Sequence, residues 1–208
     1  MNGTATRRGR PRTFDADAAL DAALAVFWRN GYEGTSLTDL TAAMGINRPS
    51  LYAAFGNKES LFRWVMDRYA DRGRALVAAC EAEPTARGFV ERLLRGLADR
   101  CTGCRGQTGC FLVQGAMKCG AAGDKVRRAA ATRRHAMGTV LRTRFERALG
   151  DGELPPATDA AALAGYFSLV IHGMAVHAAD GADRAALHRA IDLALRAWPG
   201  RGAGEDRP

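Results

Sequence analysis

The chain has 208 residues, 47% of them apolar, enough to fill a real core as one large domain or as a small domain joined to a medium one. No run of about 18 apolar residues occurs and no apolar segment follows the basic start MNGTATRRGRPR, so neither a membrane span nor a secretory signal is expected, and the chain reads as cytoplasmic. The formal charge is +8, yet residues 1–60 carry a net of only +1, so charge alone does not locate a nucleic-acid surface, and five cysteines in a reducing compartment read as thiols or ligands rather than disulfides.

Periodicity is helical almost throughout, which predicts an all-α fold. After Asp15, the residues Leu20, Ala23, Leu24 and Phe27 recur at i, i+3, i+4 and i+7 and make one apolar face, stopped by Asn30-Gly31. In SLTDLTAAMG, Ser36 and Asp39 have capping-box spacing, Leu37, Leu40 and Met44 form the stripe, and Gly45 supplies a left-handed exit. INRPSLYAAFGN reads as a third short helix capped at Asn47 or Arg48, with Pro49 in its first turn and Leu51 and Phe55 facing inward. Asn57 can cap a fourth, much longer helix that ends before Pro84.

Two short helices around a tight turn at Gly45-Ile46, braced by a preceding helix, outline a helix-turn-helix. The core-facing residues of the third helix are committed, which leaves Arg48, Ser50, Tyr52, Ala53 and Ala54 for the outside. Small residues at 53 and 54 permit close approach to a groove. Arg48 suits a guanine edge or a phosphate, and Ser50 and the Tyr52 hydroxyl suit the backbone. Lys58, in the first turn of the next helix, can meet a phosphate together with exposed N–H groups. Thr35, Ser36 and Thr38 add hydroxyls at the start of the second helix.

The order of these elements resembles the TetR/AcrR family of bacterial transcriptional regulators. The resemblance covers about residues 9–62 and rests on Phe27, Gly31, Tyr32, Thr35 and Ser36, then Asp39, Leu40, Gly45 and Ile46, then SLYAAFGNKESL from Ser50 to Leu61. It implies a basic arm over residues 1–12 and a DNA-binding domain over 13–60. A ligand-binding and dimerisation domain over 61–198 and a tail over 199–208 follow. It further implies a homodimer on a palindromic double-stranded DNA operator, most simply a repressor released by a small-molecule inducer. By the same resemblance, Thr35 or Ser36, Arg48, Ser50, Tyr52 and Lys58 meet DNA. Pro49, Thr38 and, on the arm, Arg10 and Arg12 complete the candidate interface. The R-G-R-P of the arm also resembles a minor-groove AT-hook core, which leaves an architectural DNA-binding protein as an alternative.

Beyond residue 84, helices are expected at about 85–102, 108–119, 124–149, 158–178 and 183–197. AALAGYFSLVIHGMAVHAA is apolar all round, with Ala164, Gly165, Ser168 and Gly173 permitting close approach, so burial on more than one side is expected. With Leu187, Ile191, Leu195 and Trp198 it is the candidate dimer interface. Candidate pocket residues are Trp64, Met66, Phe111, Gln114, Met117, Met137, Leu141, Phe145, Phe167 and His172, although an aromatic or methionine at helical spacing is more often plain core.

Catalysis is not expected: no H-E-x-x-H, G-x-S-x-G, Walker or Rossmann pattern occurs, and His172 and His177 sit about 140° apart on a helix. No cofactor or metal is assigned. The stretch CTGCRGQTGC (101–110), with Cys119 beyond it, lacks a second C-x-x-C pair, and on one continuous helix Cys110 and Cys119 point apart. Cys110 reads as a packed thiol. Cys101 and Cys104, in a glycine-rich stretch expected to be exposed, are the candidates for a redox or soft-metal sensor.

Overall fold

A computed structural model describes residues 14–103, 107–115 and 123–200. The arm with Arg10 and Arg12, the tail beyond residue 200, and Cys104, Met117 and Cys119 lie outside the described residues. All regular structure among the described residues is helical: α1 (Ala16–Asn30), α2 (Leu37–Met44), α3 (Arg48–Phe55), α4 (Lys58–Cys80), α5 (Ala86–Cys101), α6 (Phe111–Gln114), α7 (Asp124–Gly150), α8 (Ala160–Ala179) and α9 (Arg184–Ala194), the last followed by a 3-10 turn at Leu195–Ala197.

The boundaries follow from side chains that satisfy otherwise orphaned N–H groups. Asp15 caps α1, Thr85 caps α5, Asp159 caps α8 and Asp183 caps α9. At α2 the capping box is complete: Asp39 N–H donates to Ser36 Oγ at 3.0 Å, and Ser36 N–H donates to Asp39 Oδ2 at 3.0 Å. Asn47 caps α3, accepting the Ser50 N–H at 2.9 Å, which makes Arg48 its first helical residue rather than its cap. Gly45 ends α2 at φ 64°, the left-handed exit that its lack of a Cβ permits.

These helices bury two hydrophobic cores. The first joins α1, α2, α3 and the first two turns of α4, with Phe27 edge-on to Phe62 at 4.8 Å. It does not stop at residue 60: Leu61, Phe62, Val65 and Met66 belong to it, as do Phe111 and Leu112 of α6 and Val126 and Ala130 of α7. The second core is built by the far end of α4 with α5, α7, α8 and α9, around Phe89, Leu93, Phe145 and Phe167. Helix α4 therefore runs through both, and α6 is wedged between them. Ion pairs brace the α1–α4 contact, where Arg68 forks onto Asp21 at 2.7 and 2.9 Å and Arg72 adds a third bond at 2.6 Å.

Three expectations change. The helix expected at 108–119 is described only as the single turn α6, since Gly115 follows it and residues 116–122 lie outside the described set. Leu187, Ile191 and Leu195 are not surface residues: amphipathic spacing on α9 turns them into the second core, against α5 and α8, with Trp198 packed beside them. The exposed large apolar residue of α9 is Leu193. Helix α8 is long and apolar enough by length and composition to cross a membrane. It instead packs against α5, α7 and α9 through Phe167, Met174 and Ala178, so within the protomer it is buried on one side only. Its opposite stripe, Gly165, Tyr166, Leu169 and Val176, is exposed, Leu169 by 72%.

Candidate nucleic-acid interface and effector cavity

Helix α3 stands on the first core through Leu51 and Phe55, and this fixes what it presents. Arg48, Pro49, Tyr52 and Ala53 are exposed, Tyr52 by 49%, with Ser50 half-buried and Ala54 packed partly against the core. Arg48 Nη2 donates to Thr38 Oγ1 at 3.0 Å, so the exposed ends of α2 and α3 are held as one surface. That surface offers a guanidinium, a phenol and hydroxyls with no carboxylate on α3 itself, the composition that phosphate and base-edge recognition requires.

Two hydroxyls expected there have internal duties. Thr35 is only 1% exposed and its Oγ1 donates to the Gly31 carbonyl at 2.6 Å, closing the turn after α1, so the structure removes it from the presented surface. Ser36 is exposed, but its hydroxyl donates to Asp39 Oδ2 at 2.7 Å within the capping box. That bond, with the Ser36 N–H, holds the Asp39 carboxyl below its ordinary value of 3.8. Lys58 sits at the start of α4, its Nζ 4.7 Å above the Tyr32 ring and 3.4 Å from the Glu33 carbonyl, which anchors the ammonium beside the surface.

A cavity of about 470 Å³ lies deeper, between α4, α5, α6, α7 and α8. Ala70, Gly73 and Ala78 of α4 are short, which makes the space, and Val77, Leu97, Val113, Met137, Val140 and Ile171 make it apolar. Arg100, Arg133 and Arg134 also line it. His172 reaches the wall, and burial together with the nearby charges of Arg134 and His135 pushes its pKa below 6.5, so the imidazole is neutral at neutral pH.

Of the pocket residues expected from sequence, the structure brings Met137 and His172 to this cavity. Met66 and Phe111 are buried in the first core, and Leu141, Phe145 and Phe167 in the second, because large apolar side chains fill the contacts that define the cores. Trp64 is 55% exposed on the outside of α4, so it lines nothing. Gln114 donates from Nε2 to the Thr108 carbonyl at 3.2 Å and braces the loop before α6. The residues that sequence reasoning missed, Tyr69, Gly73 and Arg100 among them, lie on faces of α4 and α5 that periodicity alone assigns to packing.

The thiols fall differently from the C-x-x-C reading. Cys101 ends α5 and is only 6% exposed, not on an open loop. It lines the cavity, and so does Cys110, just before α6. Gly109 N–H donates to the Cys101 carbonyl at 2.7 Å, which returns the chain beside the end of α5. Cys80 is fully buried in the second core. Among the described residues no group of three or more His, Cys, Asp and Glu side chains is placed to hold a metal.

A helix-turn-helix presenting a basic, hydroxyl-bearing helix, joined through a shared helix to an all-helical cavity domain, defines a helix-turn-helix DNA-binding regulator. Residues 19–65 match the model of bacterial regulatory proteins of the tetR family, and residues 86–194 match the tetracyclin repressor-like C-terminal domain. The HTH-type transcriptional repressor ComR of Escherichia coli (strain K12) is 36% identical over 195 residues, covering 92% of each chain. The repressor BdcR of the same organism is 36% identical over 109 residues, 51% of this chain and 55% of that one. A cysteine-substituted form of the TetR family transcriptional regulator CifR, solved with 26 bp of double-stranded operator DNA, superposes with a TM-score of 0.87 at 41% identity, covering 92% of this chain and all of that one. The chain belongs to the TetR family of DNA-binding transcriptional regulators.

Proposed function

We propose that this protein is a cytoplasmic transcriptional repressor that binds a palindromic double-stranded DNA operator as a homodimer and releases it when a small molecule occupies the cavity. The observation that carries the reading is the course of α4. Its first turns, Leu61 to Met66, are part of the DNA-binding core, and its next turns, Tyr69 to Ala78, are a wall of the cavity. A ligand that favours a displaced α4 has, through this one helix, a differential affinity for the two orientations of the reading head, which population shift requires. Repression is supported by the relatives named as repressors and the operator by the DNA-bound neighbour.

The homodimer is supported by the exposed stripe of α8. Gly165, Tyr166, Leu169 and Val176 recur at helical spacing on one face, Leu193 of α9 is exposed too, and glycine at 165 allows close approach of a second helix. Arg48, Ser50, Tyr52 and Lys58 read the operator, Pro49 sets the start of α3, and Thr38 positions Arg48. Arg10 and Arg12 of the arm add backbone contacts.

Footprinting of the purified protein on DNA flanking its own gene tests this. A discrete protected palindrome, lost on adding a compound that binds the cavity, is the expected result. Broad coverage of AT-rich DNA without a discrete site is the architectural alternative and would overturn the proposal.

A further inference from the structure

Cys101 and Cys110 are nine residues apart in sequence, yet both line the cavity, and the 2.7 Å bond from Gly109 N–H to the Cys101 carbonyl brings their backbones alongside one another. Gly109 makes this turn at φ 86°, a conformation that favours glycine, and a Cβ there would lie 2.7 Å from the Ala175 carbonyl oxygen of α8. Gly109 therefore fixes the chain leading into Cys110 beside the end of α5. A charge on the Cys110 sulfur disfavours one on Cys101, a further sign that the two sulfurs are neighbours.

Among the described cysteines, Cys110 is also the one packed against both cores. Burial and the neighbouring Cys110 sulfur push the Tyr69 hydroxyl well above its usual value, and the Tyr69 ring lies 5.6 Å from Trp28 of α1 and 5.8 Å from Phe111. Phe111, the next residue, contacts Phe62 at 5.2 Å in the core of the DNA-binding domain. A change at this sulfur thus meets α4, α6 and α1 within one layer of side chains.

We propose that Cys110 and Cys101 are a reactive thiol pair in the cavity wall: an apolar organic hydroperoxide enters the cavity and oxidises Cys110, Cys101 closes a disulfide, and the closure weakens operator binding. This rests on the reading of the protein as a repressor. The Cys110 sulfur attacks the terminal peroxide oxygen, the O–O bond breaks, and the leaving alkoxide takes the thiol proton and departs as an alcohol. The Cys101 sulfur then attacks the Cys110 sulfenic acid, forming the S–S bond, and the hydroxyl leaves with the Cys101 proton as water. Two thiols lose two electrons, and one hydroperoxide becomes one alcohol and one water.

The roles follow from position. Burial pushes the Cys101 thiol up to about 12, with the neighbouring Cys110 adding to the rise, so it remains protonated and suits the second step. Cys110, half-buried and facing the cavity, takes the first. The apolar wall of Val77, Leu97, Met137 and Ile171 favours a hydrocarbon-bearing peroxide over hydrogen peroxide. Drawing the Cys110 sulfur toward α5 takes it from the Tyr69 hydroxyl and pulls at Phe111, which is how the bond reaches the reading head.

The test treats the reduced full-length protein with cumene hydroperoxide and, separately, with hydrogen peroxide. Peptide mapping by mass spectrometry is expected to find a Cys101–Cys110 disulfide that forms faster with cumene hydroperoxide. Operator affinity, by fluorescence anisotropy, is expected to fall about tenfold or more and to recover with dithiothreitol. In Cys101→Ser the reaction should stop at a Cys110 sulfenic acid trapped by dimedone. In Cys110→Ala the ratio of treated to untreated affinity should be one. A disulfide to Cys104 instead, no oxidation at stoichiometric peroxide, a faster reaction with hydrogen peroxide, or a Cys101–Cys110 disulfide that leaves operator affinity unchanged would each overturn the proposal. If either variant does not fold, as read by circular dichroism, the wild-type mapping and affinity still decide. Failure of the repressor reading is separable, because it shows as absent operator binding by the reduced protein.

Discussion

Replacing Phe111 by alanine tests whether the cavity domain is keyed into the DNA-binding domain as described. The ring is 1% exposed, lies 5.7 Å from Trp28, 5.2 Å from Phe62 and 5.8 Å from Tyr69, and belongs to the core otherwise built by α1 to α4. Truncation of a fully buried phenylalanine costs about 3–5 kcal/mol through lost transfer energy and the cavity left behind, and the three ring pairs place this site toward the upper part of that range. With a urea slope of roughly 2–3 kcal/mol per molar, the midpoint should fall by about 1–2 M at fixed protein concentration. The comparison is Trp64→Ala, on the outside of α4 and 55% exposed, which should move stability by about 0.5 kcal/mol or less. Urea titrations followed by circular dichroism read both. A Phe111→Ala shift no larger than that of Trp64→Ala would refute the wedge of α6 between the two cores.

Further outcomes follow from other parts of the structure. Leu169→Glu places a charge in the centre of the exposed α8 stripe and should shift a dimer to monomer in sedimentation at micromolar concentration; an unchanged sedimentation coefficient removes α8 from the interface. Gly45→Ala meets no atom within 4 Å of the new Cβ, so its cost should be the left-handed backbone alone, about 1–2 kcal/mol in thermal or urea unfolding. The hydrogen bonds from Arg68, helped by Arg72, hold the Asp21 carboxyl below 3.8. A depressed carboxylate contributes stability that is present above its unfolded pKa and is lost as pH falls through its folded value, so wild type should lose stability on acidification below about pH 4. Asp21→Asn should flatten that limb, by about 1 kcal/mol or less given solvent screening of a half-exposed pair, and an identical acid limb in the variant would contradict the assignment.

Much of the DNA-binding half was legible because its signals are local. Ser36 with Asp39, Asn47 before Pro49, and Gly45 each fix a boundary by satisfying or freeing the backbone within four residues, and the structure uses them so. Thr35 departs from its expected place because a hydroxyl reads the same in sequence whether it faces DNA or, as here, the Gly31 carbonyl. The cavity was harder to read. It exists where Ala70, Gly73 and Ala78 leave space, and missing volume has no periodicity, whereas the large residues that attract notice, Phe145 and Phe167, are drawn into the core. Period 3.6 locates the apolar face of α9 but not its partner, so Leu187 and Ile191 read as interface residues in the sequence while in the structure they close the protomer. The C-x-x-C spacing points to Cys104, while the pairing proposed between Cys101 and Cys110 rests on the return of the chain at Gly109, which no spacing rule encodes.

The central claim is that α3 reads a particular sequence. The most direct measurement is a fluorescence anisotropy titration, at one fixed salt concentration, of the footprinted operator against a scrambled duplex of the same composition, with wild type and with Arg48→Ala. The account predicts that wild type prefers the operator by about 1,000-fold or more and that Arg48→Ala narrows this preference. Equal affinity of wild type for the two duplexes would contradict it.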